Sequence, residues 1–138
     1  MKIEFTPDSH WLIRPSVSVI PLDDGMFDFF QSSTRRSTRF RLIPEIASVI
    51  ARLDGTKCLA DICAEHGASV GQVANFIKLL HERCAVEPKA IRSAIDSSEF
   101  YRVLNFLGDY FPAGDLFSAF DRLRAAKVAI LGCGAVGS

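Results

Sequence analysis

The alternation in Ser37-Thr38-Arg39-Phe40-Arg41-Leu42 constrains this chain more than any other stretch. Side chains on an extended strand repeat every two residues, so Phe40 and Leu42 fall on one face and Arg39 and Arg41 on the other. Two earlier segments read the same way. Val17 and Val19 alternate with Ser16 and Ser18 before Ile20-Pro21 ends the run. Asp23-Asp24-Gly25 is a turn signal, and Met26-Phe27-Asp28-Phe29-Phe30 resumes as a strand. The expected product is three short antiparallel strands with one apolar face. Such a sheet does not bury itself and requires helices on one side.

The helices follow in order. Pro44 suits a first helical position, and Ile46, Val49, Ile50 and Leu53 keep helical spacing until Asp54-Gly55 stops the run. A shorter helix fits Leu59 to Glu65, with Gly67 as its C-terminal signal. Ser69 and Gln72 have capping-box spacing, and the apolar stripe Val73, Phe76, Ile77 and Leu80 follows. Val86-Glu87-Pro88 breaks that helix. From Lys89 the pattern is a helical connector, with Ile91 and Ile95, a turn at Phe111-Pro112-Ala113-Gly114, and a stripe of Leu116, Phe117, Phe120 and Leu123.

Composition narrows the classes. The chain is 49% apolar and 23% charged, the balance of a folded globular protein. Its 16 basic and 16 acidic residues cancel, so no global field recruits nucleic acid or an anionic membrane. Met1 to Pro7 lacks the apolar core of a secretory signal, and no apolar run is long enough to span a bilayer. A cytoplasmic protein with neither a nucleic-acid nor a membrane partner is the expectation. Cys58, Cys63, Cys84 and Cys133 form no C-x-x-C pair and fit no zinc template, so no metal is expected. Cys63 and His66 share a helical face, which reads more simply as a buried thiol beside a surface histidine.

Lys127-Val128-Ala129-Ile130-Leu131 reads as a buried parallel strand, and Gly132-Cys133-Gly134-Ala135-Val136-Gly137 follows as G-x-G-x-x-G. The first Gly allows a tight turn, the second lets backbone approach a phosphate, and the third lets helix pack on strand. The helix whose N-terminus would attract the phosphate does not follow. The expectation for 127–138 is therefore the first strand and loop of an incomplete nucleotide-binding domain. Gly132, Gly134 and Gly137 would hold nucleotide only in an intact parent. Val128 to Gly137 is expected to be disordered, or to pair with another chain by strand swapping in a homodimer.

Arg35, Arg36, Arg39 and Arg41 form the only charge run. On a strand Arg35, Arg39 and Arg41 would share one face. That face either protects an edge strand from aggregation or forms a basic rim beside an edge that accepts an acidic peptide. There is no Ser/His/Asp set, no Cys/His set and no carboxylate pair, so no catalytic residue is expected.

Residues from about Trp11 to Pro88 resemble the PqqD-like domain, the RiPP recognition element that binds leader peptides of ribosomally made, modified peptides. The carrying residues are Arg39-Phe40-Arg41-Leu42-Ile43-Pro44, then Leu53-Asp54-Gly55-Thr56 with Leu59-Ala60-Asp61-Ile62, then Val73 to Leu80. Residues from about Glu99 look like the start of a ThiF-like, ubiquitin-activating-type domain. Phe100-Tyr101-Arg102, Arg122-Leu123 and the Gly-rich loop carry that likeness.

The resemblance implies a fold class and a division of the chain. The class is α+β: a winged-helix-like, PqqD-type domain with a three-stranded antiparallel sheet and three helices over 1–88. A helical connector follows over 89–126, then the first strand of a truncated Rossmann-like domain over 127–138. The leader would add as a strand to Ser37, Thr38, Arg39, Phe40, Arg41 and Leu42 and pack against Val73, Phe76, Ile77 and Leu80. The bound peptide would be delivered to a modifying enzyme such as a YcaO-type cyclodehydratase. Arg102 would match an Arg that in some relatives reaches a partner subunit's nucleotide. No cofactor is implied for this chain, and ATP only for the intact parent. Two other functions compete: a piece of an ATP-dependent adenylating enzyme, and a winged-helix nucleic-acid binder with Gln72, Asn75 and Lys78 on its reading helix.

Overall fold

A computed structural model describes residues 2–129 and Leu131 of the chain. The fold is α+β, with a three-stranded antiparallel sheet and six helices among the described residues. The sheet order is β2 (Val17–Pro21), β3 (Met26–Gln31), β4 (Arg36–Arg41), matching the three expected strands within a residue or two. Val17, Val19, Phe27, Phe29, Phe40 and Leu42 turn inward together, as the period-two pattern requires.

Three helices cover that face. They are α1 (Pro44–Ile50), α2 (Leu59–His66) and α3 (Val70–Glu82). Val49, Leu59, Val73, Ile77 and Leu80 have no exposed surface and form the core with Phe29 and Trp11. α1 ends earlier than its apolar spacing predicts, because Arg52 and Leu53 donate to Val49 and Ile50 and tighten the last turn. Gly67 closes α2 in the left-handed region, φ 64°, where a side chain would be strained. At the start of α3 Ser69 Oγ accepts the Gln72 N–H at 3.4 Å. The return bond of the expected capping box is not made, and the Gln72 side chain lines a surface groove instead.

Two strands were not anticipated. Val86-Glu87-Pro88 does not merely end a helix: it forms β5 and pairs antiparallel with β1 (Trp11–Ile13), placing Leu12 opposite Glu87. The connector folds into α4 (Lys89–Asp96), α5 (Tyr101–Gly108) and α6 (Ala113–Ala125). Ile91, Ile95, Leu104, Leu116 and Phe120 give it a core of its own, while Leu123, expected in that core, is exposed. Lys127 to Ala129 are in no strand, contrary to the parallel strand expected there, and Val128 and Leu131 are 81% and 93% exposed. The sheet that would bury them is not among the described elements. The Gly132, Gly134 and Gly137 loop, and the expected disorder or pairing up to Gly137, lie outside the described residues.

An ionic cluster joins the two cores. Glu87 is fully buried and receives Arg14 at 2.5 Å and Arg92 at 3.1 Å. Arg14 also donates to the Asn105 carbonyl at 3.0 Å and to Asp109 at 3.3 Å. A Cβ on Gly108 would lie 2.5 Å from the Arg14 guanidinium, so only glycine lets α5 approach this closely.

His81 is 8% exposed on α3, edge-on to Phe5 and Trp11 at ring distances of 5.5 and 5.7 Å. Burial lowers its pKa from the usual histidine value, against smaller upward pulls from Glu82 and Asp115. The folded state thus holds fewer protons than the unfolded state once pH falls below about 6.5. Stability should fall as pH drops through that value, and His81→Phe should flatten the fall. Urea midpoints at pH 7.5 and 5.5 for both proteins measure it.

Candidate functional site

β4 lies at the edge of its sheet, and the backbone ladder fixes which of its groups are free. Ser32 N–H donates to Ser16 and Leu22 N–H to Met26, so even-numbered residues of β3 bond β2. Leu42 N–H donates to Gly25 at 3.0 Å, so odd-numbered residues of β3 bond β4. Phe40 and Thr38 therefore point their backbone groups inward to Phe27 and Phe29. Ser37, Arg39 and Arg41 point theirs outward, where no described strand receives them.

Beside this edge runs α3. A groove of about 450 Å³ lies between them, lined by Phe40, Leu42, Ile43, Ile46, Gln72 and Phe76, among others. Phe40 and Phe76, two rings of an aromatic trio, line it. Phe40 and Phe76 stand edge to face at 5.1 Å, and Phe29 meets them at 5.7 and 6.0 Å. Ile43 stands at the mouth, 51% exposed between β4 and Pro44.

The structure separates the expected site residues into groups. Ser37, Thr38, Arg39, Phe40, Arg41 and Leu42 all lie on or beside the edge strand, with Leu42 buried. Of the α3 stripe, Val73, Ile77 and Leu80 are wholly buried under the sheet, and Phe76 alone reaches the groove wall. Gln72, one turn before Phe76, and Asn75, next to Phe76 in sequence, line the groove as well, whereas Lys78 does not. Ile43 and Ile46 were missed as groove residues. The one signal for Ile43 is a large apolar side chain just before a helix-starting proline, on the far side of the strand's last inward residue.

The arginines do not form one rim. Arg35 sits in the turn before β4 at φ 55°, which breaks the shared face expected for Arg35, Arg39 and Arg41. Arg39 is 3.8 Å from Asp28, to which Ser37 also donates at 2.6 Å, and Arg41 donates to the Asp24 carbonyl at 2.6 Å. Arg36 falls on the opposite face of β4 from Arg39 and Arg41, is exposed, and lies over the Tyr110 ring at 6.0 Å.

Arg102, which the resemblance would match to an Arg that reaches a partner subunit's nucleotide, is exposed on α5 and donates to the Tyr101 hydroxyl at 3.0 Å. Cys63 is buried, and burial pushes its thiol above the usual cysteine value, which makes it a packing residue. Asp54 accepts from the Thr56 hydroxyl and N–H, and these bonds hold its carboxyl below the usual aspartate value. That pair shapes the Leu53-Asp54-Gly55-Thr56 turn. Among the described residues no group of His, Cys, Asp and Glu is placed to hold a metal ion, and no helix is long and apolar enough to cross a membrane.

No family model matches the chain, and no curated protein or solved structure is significantly similar to it.

The groove's aromatic wall carries stability while its rim does not. Phe76→Ala should cost about 2–4 kcal/mol in urea unfolding, because it empties one corner of the aromatic trio. Gln72→Ala, at the exposed rim, should change stability by less than about 0.5 kcal/mol.

Proposed function

We propose that this protein binds the leader segment of a ribosomally synthesised precursor peptide and presents it to a modifying enzyme, as PqqD-like recognition domains do. The observation that carries the reading is the free outer edge of β4 beside an apolar groove. An extended peptide added at that edge finds backbone partners at Ser37, Arg39 and Arg41. Every second side chain of such a peptide would enter the trough between β4 and α3, where Phe40, Ile43, Ile46 and Phe76 offer apolar contact. Backbone bonds supply affinity independent of sequence, and the groove supplies the preference.

The neighbouring parts fit this role. The connector is packed against the recognition half through Arg14, Glu87, Arg92 and Asp109, so a bound peptide would be held at a fixed position relative to whatever follows α6. A modification enzyme of the azoline- or thiazole-forming kind is the expected recipient. The adenylating reading rests on the Gly-rich loop, and the nucleic-acid reading on Gln72, Asn75 and Lys78. Two of those three α3 residues, Gln72 and Asn75, line the groove beside the strand edge.

Proline scanning of β4 tests strand addition, since each proline deletes one N–H. Arg39→Ala and Arg41→Ala are the controls that remove the side chain alone, because Arg41 also lines the groove. The probe is a peptide selected by binding to the wild-type chain from a display library of random 12-residue sequences. Arg39→Pro and Arg41→Pro delete outward N–H groups, which edge strands tolerate. They should weaken the selected peptide about tenfold or more and leave thermal stability nearly intact. Thr38→Pro and Phe40→Pro remove ladder bonds and should destabilise the fold itself. If Arg39→Pro and Arg41→Pro stay folded and keep full affinity, strand addition is wrong. Tight binding of duplex DNA by the wild-type chain at physiological salt, with no peptide selected, would favour the nucleic-acid reading.

A further inference from the structure

The trough between β4 and α3 does not end at the apolar groove. Towards the other end of β4 it opens a second cavity of about 100 Å³, lined by Gln31, Arg36, Thr38, Leu80 and Arg83 among others. It shares β4 and α3 with the groove and reaches further under the sheet, to Phe29 on β3 and Val17 on β2. Arg36 and Thr38 share the inward face of β4 with Phe40, and Leu80 and Arg83 continue the α3 face that carries Phe76. From Arg36 to Phe40 is about 13 Å along a strand, and from Phe76 to Arg83 about 10 Å along a helix. Measured along the inward face of β4, the two cavities are therefore four residues apart, apolar at the Leu42 end and basic at the Arg36 end.

Arg36 and Arg83 are both exposed, and among the described residues no carboxylate pairs with either. Arg14, Arg39 and Arg92, by contrast, each have a carboxylate within 4.0 Å. Asp109, which Gln31 approaches at 3.4 Å, is already held by Arg14 and by Ser16 at 2.6 Å. Tyr110 backs the Arg36 guanidinium with its ring face and supplies no neutralising charge. Two guanidinium groups over a small cavity with apolar walls at Val17, Phe29 and Leu80 suit one compact, planar anion. The space exceeds what a single water needs and is too small for a nucleotide.

We propose that this cavity is a carboxylate subsite, and that its occupant is an Asp or Glu side chain of the docked peptide, four residues from the apolar side chain held in the Phe40–Phe76 groove. This rests on the strand-addition reading. A strand paired with β4 sends every second side chain into the trough, so residues four apart face the two cavities together. The spacing turns a general preference for acidic peptides into a pattern: one apolar residue, three of any kind, one acid, in either chain direction.

The test uses the full chain and the same random 12-residue display library, selected in parallel on the wild-type protein and on R36Q/R83Q. Wild-type selections should enrich an apolar residue and an Asp or Glu at that spacing. Replacing the acid of a selected peptide by its amide should weaken binding to wild type about tenfold, and to R36Q/R83Q by less than about twofold. The amide swap leaves the protein unchanged, so it reads the subsite even where R36Q/R83Q folds poorly. Enriched peptides without an acid at that spacing, or an equal loss on both proteins, would overturn the subsite and leave strand addition standing. Failure to enrich any peptide on wild type would count against strand addition itself. Sodium acetate that shifts the Arg36 and Arg83 side-chain N–H resonances at submillimolar concentration, without peptide, would assign the cavity to a free small carboxylate and overturn the peptide assignment.

Discussion

A carboxylate with no exposed surface holds this fold together. Glu87 sits on β5 between Arg14, just after β1, and Arg92 of α4, and Arg14 reaches on to the Asn105 carbonyl in α5 and to Asp109 just beyond that helix. Burial pushes the Glu87 carboxyl above the usual glutamate value while the two arginine charges pull it down. The cluster costs desolvation energy as well as supplying attraction, and its effect is to fix geometry. Removing one partner would leave a charge buried without compensation, at a cost of about 3–5 kcal/mol. Arg14 lies three residues before the start of β2, and Glu87 five residues after the end of α3. The cluster therefore pins the segment entering the sheet to the segment leaving the helix, and so sets where α3 lies against β4.

That placement explains how one element serves two purposes. α3 buries Val73, Ile77 and Leu80 against the sheet and turns Gln72, Asn75, Phe76 and Arg83 towards a trough along the edge strand. Edge strands are commonly blunted by charge, bulges or covering loops. Here Arg39 and Arg41 fold back onto Asp28 and the Asp24 carbonyl, leaving the outward backbone groups of Ser37, Arg39 and Arg41 unreceived. Under the proposed strand addition, a segment paired with this edge would also have to fit the trough.

Much of the fold was legible because its signals are local. Phe40 and Leu42 against Arg39 and Arg41, or Val17 and Val19 against Ser16 and Ser18, need only a period of two to be read. Pro44 and Gly67 mark helix ends by backbone chemistry alone. β1 and β5 were not legible: each is three residues long, too short for a period, and they pair across most of the chain. The Arg14–Glu87 pair escaped for the same reason, being 73 residues apart in sequence. At the site, the strand edge and Phe76 could be anticipated, since both lie on a repeating pattern. Ile43 and Ile46 line the groove through the angle at which α1 leaves β4, and Arg83 reaches its cavity because α3 runs beside that strand. Sequence periodicity carries neither angle.

The account turns on backbone groups, and amide hydrogen exchange reads them one at a time. Exchange along β4 should be compared with and without a bound leader-type peptide. The account predicts alternation: Ser37, Arg39 and Arg41, exposed in the free protein, gain strong protection, while Thr38 and Phe40, already bonded to β3, change little. Peptide binding that protects α3 or α5 but leaves Ser37, Arg39 and Arg41 exchanging at their free rates would contradict it.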